Sequence, residues 1–275
     1  MFTVWLLPVV SVPLYRSNIG ELTWRIQVTF IVASSTGNIL AAPLAQHSVS
    51  HALLTIAVSG FIVSIGLSLS LIILTIYFFR LIVHGYPAGA TIISSFLPLG
   101  PLGQAGFSIL LLGDNLNTLL PLASGQSGVL NAPATGEIVR VVCLMAAFVL
   151  WSFATMWMIF ALLGIQEVVR KSRFPFAVPF WGLIFPNGKY NRRFFPLVKC
   201  HSYDSLGVYA TLTLKLAATL NSPFFRGYGA MYSIATLLLW IWVTARTAML
   251  LRNRRIFEAP QCMEDVDSPP LESKA

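Results

Sequence analysis

The sequence predicts an all-α polytopic membrane protein with about six transmembrane helices, and three observations carry that prediction. Mean hydropathy is +0.75. Only 10% of the 275 residues are charged, against about 25% in an ordinary soluble domain. Several apolar runs reach the roughly 20 residues needed to cross a hydrocarbon core, and the longest have no polar face with which to meet water. The formal charge of +8 does not point to nucleic acid, because the basic residues cap apolar runs instead of forming a stripe.

The elements follow in order. Val28 to Leu44, "VTFIVASSTGNILAAPL", is the first clean run, and its Ala, Ser and Gly content favours close helix–helix contact over lipid exposure. Pro43 and the His47–His51 stretch are expected to end it. His51 to Val83 is apolar for longer than a perpendicular crossing requires, so it tilts or projects. At its far end, Tyr77, Phe78, Phe79 and Arg80 read as an interfacial anchor. Ser95 to Asn115, "SFLPLGPLGQAGFSILLLGDN", is a crossing interrupted by prolines and glycines. A broken helix survives at membrane depth only where its freed backbone groups meet protein or a wet cavity. Leu116 to Gly136 reads as a loop. Glu137 to Ile165 is the fourth run, followed by Arg170, Lys171 and Arg173. A broken fifth run occupies Trp181 to Leu220, and Tyr228 to Leu250 is the sixth. Residues 1–257 thus form the transmembrane unit, and 258–275 an acidic, disordered tail.

Charge orients the chain. Arg80, Arg170–Arg173 and Arg252–Arg255 all follow even-numbered crossings, so they share one side, and the positive-inside tendency makes that side, with the C-terminus, cytoplasmic. The start of the chain lacks the basic n-region and cleavage site of a signal peptide. Cys143, Cys200 and Cys262 offer neither a disulfide framework nor a metal spacing. No GxGxxG, Walker loop or HExxH is present, and "GQSGV" around Ser127 lacks the strand context of a nucleophile. The sequence therefore predicts no enzyme and no cofactor.

Candidate residues for an ion path come from the broken crossings. Pro98, Gly100, Pro101 and Gly103 would free backbone groups and let an anion approach peptide N–H donors; a plain packing kink is the other reading. Gln104 and Ser108, one turn apart, could add polar contacts. Asp114 is placed at the outer mouth of the same helix, as a tuner of entry or an interfacial cap. Lys215 lies inside an apolar run and suits an anion path, with snorkelling to the interface as the alternative. Pro186 would remove a helical donor and bend the fifth run.

"WLLPVV", "VASSTG", "FLPLGPLGQ", "LLLGD" and "FWGLIFPNG…VYATLTLKLA" together resemble the tellurite-resistance/dicarboxylate transporter family, which includes slow-type plant anion channels, fungal malate permeases and fungal sulfite efflux pumps. "GPLGQ" followed by "LLLGD" is most similar to the sulfite pump branch. The resemblance covers most of Trp5 to Phe257 and implies a ten-helix fold of five hairpins, with odd-numbered, proline-bent helices around a pore. This chain would supply helices five to ten. By the same resemblance, Phe185 is the aromatic plug of helix nine, and Pro8, Ser34 and Ser35 line helix five. The implied function is plasma-membrane transport of a small inorganic or organic anion, sulfite efflux first and malate or another C4-dicarboxylate second; a trimer is the implied assembly.

Two features depart from the family pattern. Helices one to four have no counterpart, so three pore-lining helices stand where the family has five, and a non-transporting fragment of a truncated gene is a further reading. Two blocks, 11–27 and 189–207, also interrupt the motifs. Deleting the second yields "PFWGLIFPNGVYATLTLKLAATL", one continuous crossing. Val10-Ser11 and Gly188-Lys189-Tyr190 can be encoded by GTG-AGT and GGT-AAG-TAC, which contain splice-donor sequences. Retained introns are the expected origin; a genuine loop is the rival, and it must place several charges at membrane depth.

Overall fold

A computed structural model describes residues 13–86, 92, 95–120, 130–171 and 206–252. Six α-helices account for nearly all of them: α1 (Pro13–Ala45), α2 (Val49–His84), α3 (Leu99–Leu119), α4 (Thr135–Lys171), α5 (Leu206–Leu220) and α6 (Pro223–Arg252). They form three hairpins, α1–α2, α3–α4 and α5–α6, each closed by extensive packing between its two arms. The α1–α2 connection is short because Ser48 caps α2: its backbone is extended, and its hydroxyl accepts the His51 N–H and meets His51 Nδ1 at 2.9 Å. Gly85, at φ +71°, ends α2, a backbone state that costs glycine nothing.

The hairpins stack through their first arms. Helix α3 lies between α1 and α5 and also touches α2 and α4, so the odd-numbered helices form an inner layer and the even-numbered ones an outer layer. Composition explains this arrangement. Large exposed apolar side chains crowd α2 (Leu54, Phe61, Ile72, Phe79), α4 (Val142, Val149, Leu162) and α6 (Ile234, Leu238, Ile241), whereas α3 has none. Lipid tails are as apolar as these side chains, so the outer helices gain nothing by hiding them.

Four spans are long and apolar enough to cross a membrane: 27–45, 49–84, 135–167 and 223–249. All four belong to α1 and the outer helices. Helix α3 has 21 residues, about 31 Å at 1.5 Å per residue, but its Gly, Gln, Asp and Asn content keeps it out of this group. Helix α5, with 15 residues, is about 22 Å long. Both are enclosed largely by other helices, which relaxes the demand for an apolar surface. The chain is an all-helical, polytopic membrane protein, as its sequence predicts.

Two sequence expectations shift. Residues 13–27 are helical and continuous with 28–45, so this part of the 11–27 block belongs to α1 and makes no loop. Helix α3 is unbroken: Pro98 is its N-cap and Pro101 its third residue, where backbone N–H groups have no intrahelical acceptor anyway. These prolines therefore start the helix and do not bend it. At the far end of α2, Tyr77 and Phe78 pack on Trp157 of α4 at 5.7 and 5.9 Å between centroids, while Phe78, Phe79 and Arg80 keep exposed surface.

Candidate functional site

Glycine sets how closely the inner helices approach. A Cβ on Gly106 would stand 2.8 Å from Leu212 Cδ2, and one on Gly103 would lie 3.3 Å from the backbone nitrogen of Tyr209. With no side chain at either position, α3 and α5 pack nearly backbone to backbone, the small-residue contact that membrane helices use where no hydrophobic drive exists.

The α1–α3 contact is polar and buried. Ser34 Oγ donates to the Ser59 carbonyl of α2 at 2.7 Å and meets Ser108 Oγ at 2.7 Å. Asn38 Nδ2 donates to the Ser108 hydroxyl at 3.1 Å and to its carbonyl at 3.2 Å. Gln104 Nε2 reaches Ser35 Oγ at 2.6 Å, while Ser35 donates to the Ile31 carbonyl one turn back. Asn115 Nδ2 donates to the Asn38 carbonyl at 2.7 Å. Each such bond between membrane helices contributes on average about 0.6 kcal/mol. Together they also fix the rotation of α1 against α3.

That rotation leaves one stripe of each inner helix open. On α3 it contains Gly100, Gln104, Phe107, Leu111, Asp114 and Thr118; on α1, Thr29, Ala33, Thr36 and Leu40; on α5, Gly207, Thr211, Leu214, Lys215 and Ala218. Each follows the three-and-four spacing of one helix face. Hydroxyls, an amide, small residues and an ion pair share these stripes with Leu40, Phe107, Leu111 and Leu214, whereas the exposed faces of the outer helices are mainly Leu, Ile, Val and Phe.

Near one end of the inner layer three charges converge. Lys215 Nζ on α5 lies 2.7 Å from Asp114 Oδ2 on α3, and Arg140 Nε on α4 lies 3.2 Å from Asp114 Oδ1. The carboxylate gives one oxygen to each cation. Asp114 and Lys215 are each a little over a quarter exposed, so water and salt screen the pair only in part. A second network ties α4, α5 and α6. The fully buried Tyr209 meets Thr155 Oγ1 at 2.7 Å and donates to Tyr228 at 3.3 Å, which donates to Tyr232 at 3.3 Å. Trp151 Nε1 donates to Thr213 at 3.0 Å.

The structure joins four residues singled out by sequence, Ser34 to Ser108 and Ser35 to Gln104. It buries Pro98, Pro101 and Gly103 in the α3 packing face and leaves only Gly100 and Gln104 of that group on the open stripe. Lys215 is not a free charge, because Asp114 pairs with it. Phe185, Pro186, Pro8, the second block up to residue 205 and the tail lie outside the described residues. Sequence reasoning missed Asn38, Asn115, Phe107 and Thr211; an Asn inside an apolar, small-residue run was the available signal for Asn38. Among the described residues no cluster of metal-ligating side chains occurs.

The profile of the voltage-dependent anion channel (SLAC1) family matches residues 1–192. The sulfite efflux pump of Arthroderma benhamiae is 30% identical over 257 residues, covering 94% of this chain and 56% of the pump. That of Trichophyton rubrum matches with the same identity and coverage. The sulfite efflux pump of Candida albicans is 39% identical over a shorter stretch of 94 residues, 34% of this chain and 19% of its own length. The chain spans about half the length of the curated relatives it matches. No solved structure matches it. A family profile over more than half of the chain, and an inner layer of small and polar residues wrapped in apolar helices, lead to one conclusion: this chain belongs to the voltage-dependent anion channel family.

Proposed function

We propose that this chain is the membrane-embedded, pore-forming half of a small-anion transporter whose substrate is sulfite, moved outward across the plasma membrane of a fungal cell, with the C-terminus in the cytoplasm. The observation that carries this reading is the contrast between layers. The open stripes of α1, α3 and α5 carry Thr36, Gln104, Thr211 and Lys215 among apolar and small residues, while the exposed faces of α2, α4 and α6 are mainly large apolar side chains. A path lined by hydroxyl and amide dipoles can replace part of an anion's hydration without binding it too tightly to release. Similarity to sulfite efflux pumps over 94% of the chain supports sulfite over malate. The basic residues Arg80 and Arg170 near the ends of α2 and α4 support the orientation. Phe185, by its family position, is the steric gate, and a trimer is the assembly.

The test is sulfite tolerance and sulfite release in cells lacking their own exporter, with malate release measured in parallel. Expression of the chain should restore sulfite release and leave malate unchanged; malate release alone would reassign the substrate. A second reading rests on length: at 56% of its relatives, the chain acts only beside a longer copy. Restoration that requires co-expression of a longer relative would favour it.

A further inference from the structure

We propose that Lys215 and Arg140 form an oxyanion-binding pair at one mouth of the inner layer, and that the Asp114 carboxylate is its tethered occupant, displaced when a free oxyanion arrives.

The argument starts from the carboxylate's geometry. Asp114 bridges two cations on different helices, one oxygen to each, at 2.7 Å to Lys215 Nζ and 3.2 Å to Arg140 Nε. A sulfite, a sulfate or a substrate carboxylate has the same feature, two oxygens on one atom, and would span the same two donors. Charge does not balance: two cations face one carboxylate, so the trio retains a net positive charge. Arg140 commits only Nε to Asp114, and its terminal nitrogens make no hydrogen bond among the described residues. A guanidinium presents a fork suited to oxyanions, so Arg140 has capacity to spare. Position adds to this. Asp114 and Lys215 lie on the open stripes of α3 and α5, partly exposed, so an ion can reach them without unpacking the bundle.

The tether gives the site a use. An oxyanion held by both cations alone would leave slowly, whereas a built-in competitor lowers its affinity and returns as it departs, which suits conduction. This inference rests on the transport reading only for the identity of the anion.

The experiment measures thermal unfolding of the purified full chain in detergent, with sulfite or sulfate replacing gluconate at constant ionic strength. An anion that binds the folded state raises Tm with concentration. Wild type should show a weak, saturable rise. Asp114→Asn, which removes the competing charge, should bind about tenfold more tightly. Lys215→Gln and Arg140→Gln should each reduce the rise, and Lys215→Arg should retain it. A simple staple predicts lower starting Tm values with the same anion response in every folded variant. If Asp114→Asn fails to fold, the Gln and Arg variants of Lys215 still decide the matter, since equal anion responses from both overturn the proposal. Sulfite flux into proteoliposomes is measured alongside. Binding that follows this pattern without flux would sink the transport reading and leave the site standing; flux with binding indifferent to all variants would do the reverse.

Discussion

The hydroxyls of Ser34 on α1 and Ser108 on α3 meet 2.7 Å apart with no exposed surface, and Asn38 closes the same contact from one turn along α1. Three hairpins that touch mainly through their first arms depend on such contacts for relative placement. Disturbing this one should loosen the α1–α2 hairpin from the rest.

Ser108→Ala should therefore destabilise the bundle by about 1 kcal/mol, since it removes a hydroxyl that both Ser34 and Asn38 use. Ser64→Ala is the control: Ser64 is exposed and bonds only its own helix, to the Gly60 carbonyl, so its loss should be near neutral. Unfolding in mixed micelles measures both. Equal effects at the two positions would show that the seam contributes nothing.

Gly106→Val should cost about 1–3 kcal/mol by pushing Leu212 away, because any Cβ there falls 2.8 Å from Leu212 Cδ2. Leu212→Ala alone leaves a cavity and should also destabilise. The double variant should recover part of the loss, giving a non-zero coupling in a double-mutant cycle. Strict additivity would mean that α3 and α5 do not pack as described.

Thr213→Val keeps the shape of a buried side chain but removes the acceptor of Trp151 Nε1. An indole N–H left unpaired in this setting should cost about 1–3 kcal/mol, and the tryptophan emission maximum should shift. Thr211→Val, on the exposed stripe of the same helix, should leave both readings unchanged while altering anion flux.

Water access separates the layers. With Cys143, Cys200 and Cys262 first replaced by serine or alanine, single cysteines at Thr36, Gln104 or Thr211 should react with a membrane-impermeant thiol reagent. Cysteines at Phe61, Val149 or Leu238, on exposed faces of the outer helices, should not. Reversal of that pattern in proteoliposomes would place the lipid on the wrong side of the bundle. Phe185→Ala should raise flux through the assembled pore, and unchanged flux would remove Phe185 from the gate.

Much of this fold is written locally in the chain. The apolar stretches around α2, α4 and α6 mark themselves by length, and the Ser/Gly/Ala texture of 33–37 marks α1 as a helix that packs on others. Pro98 and Pro101 misled because a proline reads alike at a kink and at a helix start; only the tertiary position of Leu99 as the first helical residue decides between them. Lys215 was visible as an oddity, but its partner is about a hundred residues away, and no spacing rule links them. Ser34, Ser35, Gln104 and Ser108 were legible as polar residues in apolar helices. That they pair with one another depends on the parallel packing of α1 and α3, which arises only once each has a hairpin partner.

The unequal composition of the two layers bears on how the chain enters the bilayer during synthesis. Helix α3 emerges carrying Gln104, Asp114 and Asn115, too polar to partition on its own, and α5 is too short to do so. Each precedes a long, apolar partner that is made only afterwards. Stable insertion of α3 and α5 then depends on α4 and α6, so a chain ending within residues 120–135 would leave α3 without the partner that holds it in the bilayer.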